Sequence, residues 1–393
     1  MPPARAIPRG VWALGFVSLL MDVSSESVHS LLPVFMVTTL GASVAAVGLV
    51  EGVAEATALI VKVFSGALSD ALGRRKGLAV FGYGLGALSK PLFALAGTVG
   101  AVLGARFIDR VGKGVRGAPR DALIADLTPE PVRGAAYGLR QSLDTVGAFL
   151  GPLLAMGLMF LFSGDFRAVF WIAAVPGALS VLLLGFFVHE PGPAAGRGSG
   201  TALSWTTLAR LDSSYRSVTA VGAVFTLARF SEAFLILRAL EQGLPDAFAP
   251  AVFVLMNAAY ALSAYPAGRL ADRMDRRGLL ACGLLVLIAA DLALAKGGAA
   301  ALIVGIALWG LHLGLTQGVL SAMVAATAPR ELRGTAFGFF NLACGAAMLA
   351  ASVLAGLLWQ WLGASATFLA GAAFSAAALA LLSAGRCDPR WTL

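Results

Sequence analysis

The sequence predicts an all-α integral membrane protein: twelve transmembrane helices in two pseudo-symmetric six-helix bundles. Three observations carry this. The 393 residues are 59% hydrophobic and only 13% charged, with a mean hydropathy of +0.84, which leaves too little polar surface to cover a water-soluble fold. The apolar residues gather into twelve runs, near 11–38, 44–68, 78–98, 100–127, 133–161, 167–188, 214–240, 249–268, 278–297, 300–327, 334–361 and 363–385. Each meets the roughly 20 residues that a hydrocarbon core of about 30 Å requires. The chain also repeats: PVRGAAYG at Pro131–Gly138 returns 200 residues later as ELRGTAFG, and GALSDALGRRKG at Gly66–Gly77 returns about 202 residues later as GRLADRMDRRG. A parallel repeat of two six-helix halves is a transporter architecture in which substrate sits between the halves near mid-membrane.

The halves are 1–190 and 214–393, joined by a linker, 191–213, that opens PGPAAGRGSG and contains no run of spanning length. The net charge of +8 is topology rather than a sign of nucleic acid. With the amino terminus inside, seventeen Lys and Arg fall on inward segments and only Arg167 and Lys296 on outward loops. This positive-inside bias predicts a multi-pass protein of the cytoplasmic (inner) membrane with both termini cytoplasmic. Cys282, Cys344 and Cys387 lack metal or redox spacing. The first apolar run is too long for a signal peptide and reads as a retained helix.

Taken in order, the spans differ in chemistry. Span one places Ser18, Asp22, Ser25, Glu26, His29 and Pro33 on one helical face, and an ionisable group in a span is a functional hypothesis by default. Span two carries Glu51, expected to reach water, and the deeper Glu55. In span three, Lys90-Pro91 reads as a kink. Span four is the most charged: at about 100° per residue, Arg106, Asp109, Arg110, Lys113, Arg116 and Arg120 form one stripe, expected to line something wet. Span five has Arg140 and Asp144 four apart, paired locally or reaching span one or four. The second half offers Arg229 with Glu232, Asn257, His312, Gln317 and Asn341. His312 reads first as a packing histidine. The repeat puts Phe340 and Cys344 where the first half has Arg140 and Asp144, so the first half reads as the ion-handling one.

Gly66, Asp70, Gly73, Arg74 and Arg75 reproduce the pattern Gly-x-x-x-Asp-x-x-Gly-Arg-Arg/Lys between spans two and three. The second copy keeps Gly268, Asp272, Arg276 and Arg277 and puts Asp275 at the glycine. In this the chain resembles the major facilitator superfamily over essentially its whole length. The resemblance implies that this loop latches the two halves in the outward-facing state. Arg106-Phe107-Ile108 is similar to the start of the family's Arg-Phe-Leu-Gln-Gly, with Asp109 and Arg110 replacing Gln-Gly. That implies a proton-coupling role for Arg106, with Arg110 as the alternative. Gly138, Gly147, Gly151 and Pro152 resemble the family's span-five motif, with Ala155 and Met156 at its last glycines. The family associates that motif with export by antiport.

The combined expectation is a proton-coupled secondary transporter of a small organic molecule, working as a monomer in the lipid bilayer without a cofactor, with export favoured. Asp22, Glu26, Glu55, Asp109 and Asp144 are the proton-handling carboxylates, with Asp22, Glu26 or Glu55 releasing Arg106, Arg110 or Lys113 on protonation. His29, Lys113, Arg229, Glu232, Asn257, His312, Gln317 and Asn341 join those arginines as substrate contacts. Two alternatives stay open: import of an organic anion or metal chelate held by the basic stripe, and divalent-metal transport through Asp22, Glu26 and His29. No H-E-x-x-H or G-x-S-x-G arrangement supports an enzyme.

Overall fold

The computed structural model describes residues 7–72, 75–190, 211–271, 275–316, 318–329 and 332–384. Spans one to six are α1 (Arg9–His29), α2 (Val44–Leu72), α3 (Arg75–Leu95), α4 (Val99–Leu127), α5 (Arg133–Leu161) and α6 (Phe166–Phe187). Span seven is split into α7 (Ser213–Ala228) and α8 (Ala233–Glu241). Spans eight and nine are α9 (Ala251–Ala271) and α10 (Arg276–Lys296). Span ten is split into α11 (Ala299–Thr316) and α12 (Val319–Thr327), and α13 (Arg333–Leu362) and α14 (Ala364–Ala384) complete the chain.

Among the described residues, eleven helical segments are long and apolar enough to cross a membrane. The twelfth expected span, α4, has the length at 29 residues but carries eight charged side chains, from Arg106 to Asp126. Large apolar side chains such as Phe81, Phe186 and Leu262 point outward, as a lipid-facing surface requires.

Polar side chains set several helix starts by accepting amide hydrogens that have no partner within the helix. Thr98 Oγ1 accepts from Ala101 at 3.2 Å, Asp165 from Arg167 and Ala168 at 2.9 and 3.2 Å, and Asp212 from Tyr215 at 3.0 Å. Asp275, which stands where the repeat's glycine would be, accepts from Gly278 at 3.1 Å and caps α10.

Three spans read as continuous in the sequence are interrupted. Span one ends its regular helix at His29. It continues through a short turn, Leu32–Val34, holding Pro33, whose missing N–H interrupts the ladder, and a π-helical turn, Phe35–Thr39. Span ten breaks before α12 at Gly318, which has φ +75°, a conformation that glycine adopts at little cost. Span seven breaks over 229–232, where serine hydroxyls satisfy the freed backbone. The Ser231 N–H donates to Ser352 Oγ at 3.2 Å, and the Ala233 N–H donates to Ser231 Oγ at 3.2 Å.

The described chain gathers into two compact units, Met1–Phe35 with Thr57–Gly200, and Met36–Ala56 with Thr201–Leu393. Within the first, α1 packs on α5 and α6, and α3 on α4 and α6. Within the second, α7 packs on α13 and α14, and α10 on α11 and α14. The same scheme appears twice, in the order the repeat predicts. It extends to single contacts: an added Cβ at Gly82 of α3 would meet Arg116 of α4, and one at Gly283 of α10 would meet Thr316 of α11.

Candidate functional site

The first unit holds a connected polar network built from α1, α3, α4 and α5. Its deepest part is an ion cluster. Lys90 Nζ donates to Asp109 Oδ1 at 2.6 Å, Ser89 Oγ to the same oxygen at 3.2 Å, and Arg110 and Arg106 reach Oδ2 at 3.7 and 3.9 Å. Lys90 and Arg106 are each 1% exposed, Arg110 2% and Asp109 3%. The stripe's upper part is therefore packed against α3, a correction to the expectation that the whole stripe lines water. Glycine permits the contact: an added Cβ at Gly112 would lie 2.6 Å from the Gly82 carbonyl oxygen. Pro91 stays inside α3 without ending it.

A second layer lies along α1. Asp22 has Asp144, Arg116, Lys113 and Glu26 within electrostatic reach. Glu26 lies 3.4 Å from His29 and feels Lys113 and Arg110. Arg116 stacks over the Tyr83 ring at 4.9 Å, and the Tyr83 hydroxyl bonds Ser18 at 3.0 Å. Lys113 is exposed. Span five's small residues bring α5 onto this layer. An added Cβ at Gly147 would come within 2.7 Å of the Leu19 carbonyl and 3.0 Å of Asp22 Cβ. One at Gly151 would come within 2.8 Å of Glu26 Cβ, whereas one at Gly138 would meet nothing within 4 Å. Pro152 is buried beside Gly151.

A third layer joins α4 to α5. Arg140 pairs with Asp144 at 2.8 Å and reaches Asp121 at 3.8 Å. Arg120 pairs with Asp121 at 3.2 Å, reaches Asp144 at 3.8 Å and donates to Ser18 Oγ at 3.1 Å. Both sequence alternatives for Arg140 and Asp144 are realised together, since the local pair also bridges to α4.

At the start of α3, Arg75 Nη1 contacts Asp126 Oδ2 at 2.5 Å and the Ala122 carbonyl at 3.1 Å. Glu190 accepts the Arg75 and Lys76 amides at 2.5 and 3.3 Å. Glu190 therefore caps α3 besides ending span six. Gly66 packs near Ala118, whereas an added Cβ at Gly268 would meet open space. In the second copy Arg276 opens α10 and Arg277 donates to the Ser383 carbonyl at 2.8 Å. Gly73, Arg74, Asp272, Gln317 and linker residues 191–210 lie outside the described residues, as does the side chain of Asp70.

Within the second unit, Arg229 sits at the span-seven break, 5.4 Å over the Phe225 ring, with Glu232 and Glu55 in electrostatic reach. Glu55 is thus grouped with Arg229. Glu51 is 1% exposed and accepts from Ser231 Oγ at 3.3 Å, a correction to its expected position in water. His312 Nδ1 donates to the Trp309 carbonyl at 2.7 Å and its ring packs on Phe225 and Trp309, matching the packing reading. Asn257 and Asn341 are half-buried on α9 and α13.

Among the described residues, no group of three or more His, Cys, Asp or Glu is arranged to hold a metal ion. Sequence reasoning passed over Lys90, Tyr83, Asp126, Glu190 and Asp291. For Lys90 and Asp291 the signal was present, each being an ionisable residue in an apolar run. Asp126 carries the same signal at the end of span four, whereas Tyr83 and Glu190 show only in the fold.

Comparison with known proteins agrees with this architecture. The family model described as Major Facilitator Superfamily matches residues 14–244 and 220–390. The MFS-type transporter MJ1317 of Methanocaldococcus jannaschii is 33% identical over 376 residues, covering 93% of this chain and 92% of that protein. The inner membrane transport protein YajR of Escherichia coli is 25% identical over 403 residues, covering 97% and 84%. The crystal structure of the nucleoside transporter NupG superposes with a TM-score of 0.80 at 15% identity, over 95% of this chain and 99% of that one. Repeated six-helix packing, a charged fourth span and these matches lead to one conclusion: the chain belongs to the Major Facilitator Superfamily and is a multi-pass membrane transporter, not an enzyme.

Proposed function

We propose that this transporter exports a small organic molecule by proton antiport, using 1–190 as its ion-handling half and 214–393 as the less charged half. On this reading it works as a monomer in the cytoplasmic membrane, with both termini inside. The observation that carries it is the setting of Asp22. Two carboxylates, Asp144 and Glu26, and two cations, Arg116 and Lys113, compete around it, so gaining or losing one proton redistributes partners among α1, α4 and α5. Arg120 and Arg140 share Asp144 and Asp121, which gives the redistribution a route along α4. Gly147 and Gly151 seat α5 directly on Asp22 and Glu26, which supports export in view of the family's association of that motif with antiport.

The second reading, import of an organic anion, is favoured by exposed Lys113 beside this layer. One experiment separates the two. Ligands found by thermal shift are assayed for flux in liposomes with an imposed pH gradient, at about pH 6 and about pH 8, which bracket the ordinary histidine range. Under antiport, Asp22→Asn removes the pH-driven component while binding persists. Under anion import, Lys113→Gln weakens binding of anionic ligands and Asp22→Asn strengthens it. Wild-type pH dependence in Asp22→Asn refutes the coupling role.

A further inference from the structure

The second unit contains a buried acid that the transport reading does not use. Asp291, on α10, is 0% exposed, and neither carboxylate oxygen has a hydrogen-bond partner among the described residues. The repeat shows why. Asp291 lies 201 residues after Lys90, and Trp309 lies 200 after Asp109. In the repeat, the first unit's Lys90–Asp109 pair thus corresponds to an acid and an indole. Arg106 and Arg110 likewise correspond to Ile306 and Gly310, so none of the cations that surround Asp109 has a charged counterpart near Asp291 in the repeat.

The groups facing Asp291 can be taken element by element. On α11 the only ionisable residue is His312, which is engaged with the Trp309 carbonyl. The segments α14 and α12 contain no charged residue or histidine. On α9 the described ionisable side chain is Tyr260, those of Tyr265 and Arg269 lying outside the described residues, and on α10 itself they are Arg276, Arg277, Cys282 and Lys296. At the break, Arg229 is in reach of Glu232 and Glu55, and Arg238 of α8 is bound to Glu241 and the Leu294 carbonyl. Among the described residues, none of these groups forms an ion pair or hydrogen bond with Asp291. An ionised carboxylate so placed, without counter-ion or donor, is too costly to keep. The neutral, proton-bearing form is the one the site accommodates.

Phe230 stands beside the carboxyl. An added Cβ at Gly371 of α14 would lie 2.7 Å from Asp291 Oδ2 and 3.0 Å from Phe230 Cε1, so carboxyl and ring meet where glycine leaves room. Phe230 and Gly371 also line a narrow, largely apolar cleft with Leu227, Leu354, Thr367 and Phe374. Phe230 belongs to the span-seven break rather than to a helix, and its ring packs on Trp309, Phe234 and Phe368 at 5.5, 5.5 and 5.6 Å. We propose that Asp291 is a second proton-binding site, closed by Phe230 and opened to the cleft when the span-seven break rearranges. The proposal goes beyond coupling at Asp22 and does not rest on it.

The test needs no transported substrate. In lipid-reconstituted protein, infrared difference spectra of wild type against Asp291→Asn identify the C=O stretch of a neutral Asp291 carboxyl. The band is expected in wild type at both about pH 6 and about pH 8, beyond the ordinary aspartate range. In Phe230→Leu, which keeps apolar volume but removes the ring, it is expected at the lower pH and lost at the higher. Absence of the band in wild type overturns the site, and persistence at both pH values in Phe230→Leu overturns the gate. If Asp291→Asn does not fold, dicyclohexylcarbodiimide, which modifies neutral carboxyls in apolar surroundings, is applied to wild type and Phe230→Leu. An Asp291 adduct located by mass spectrometry supports the proposal, and no adduct in either protein overturns it.

Discussion

Asp109→Asn tests the logic of the first unit most directly. The carboxylate is shared by Lys90 at 2.6 Å, Arg110 at 3.7 Å and Arg106 at 3.9 Å, all almost fully buried. Removing one partner of a buried ion pair costs about 3–5 kcal/mol, because the other charge loses its compensation. Here three cations lose their shared anion, although the asparagine oxygen can still accept from Lys90, a hydrogen bond worth about 1 kcal/mol. The net expectation is a loss of about 3 kcal/mol. Lys90→Met removes one cation from an anion that keeps two arginines, so it should cost about 1–2 kcal/mol, near the low end for a hydrogen bond to a charged group. Reversible denaturation in mixed micelles supplies both values, and the double variant gives a coupling energy of about 0.5–3 kcal/mol for residues in one network. Equal single costs, or strict additivity, would falsify the shared-anion account.

Three further outcomes follow from local geometry. Gly147→Val and Gly151→Val should each prevent α5 from seating on α1, seen as loss of folded protein in detergent, because added carbons collide with backbone at Leu19 and Val23. Gly157→Ala on the same helix meets no atom within 4 Å and should leave stability unchanged or raise it by up to about 1 kcal/mol. Asp275→Ala should lower the thermal stability of the purified protein by the equivalent of about 1 kcal/mol, the ordinary cost of losing a helix cap, and Asp275→Asn should restore most of it.

Spans and repeat were legible because apolar length and a fixed offset are properties of the chain itself. The ion network was only half legible. Helical spacing groups Arg106, Asp109 and Arg110, but Lys90, which shares Asp109 with the arginines, comes from another helix and in sequence reads only as part of a proline kink. Glu51 was misjudged for a related reason. Its position near the end of an apolar run suggests water, whereas the fold brings Ser231 to it. The break at 229–232 has no glycine or proline to announce it, since the hydroxyls of Ser231, within the break, and Ser352, on α13, accept its freed amides. Gly318, with its left-handed backbone, marks the break in span ten more openly.

The span-seven break has a consequence for hydrogen exchange. An interruption in a membrane helix would ordinarily lead one to expect labile amides, because helical pairing is lost there. At this one the Ser231 amide is held by Ser352 Oγ, the Ala233 amide by Ser231 Oγ, and the Ser231 hydroxyl by Glu51. Deuterium uptake at Ser231 and Ala233 should therefore be as slow as in the flanking helices while these serines are intact. Ser352→Ala should speed uptake at Ser231 selectively, leaving α7 and α8 protected on either side. Slow exchange at a break in regular structure would identify side chains, rather than the helical ladder, as what keeps solvent from this segment.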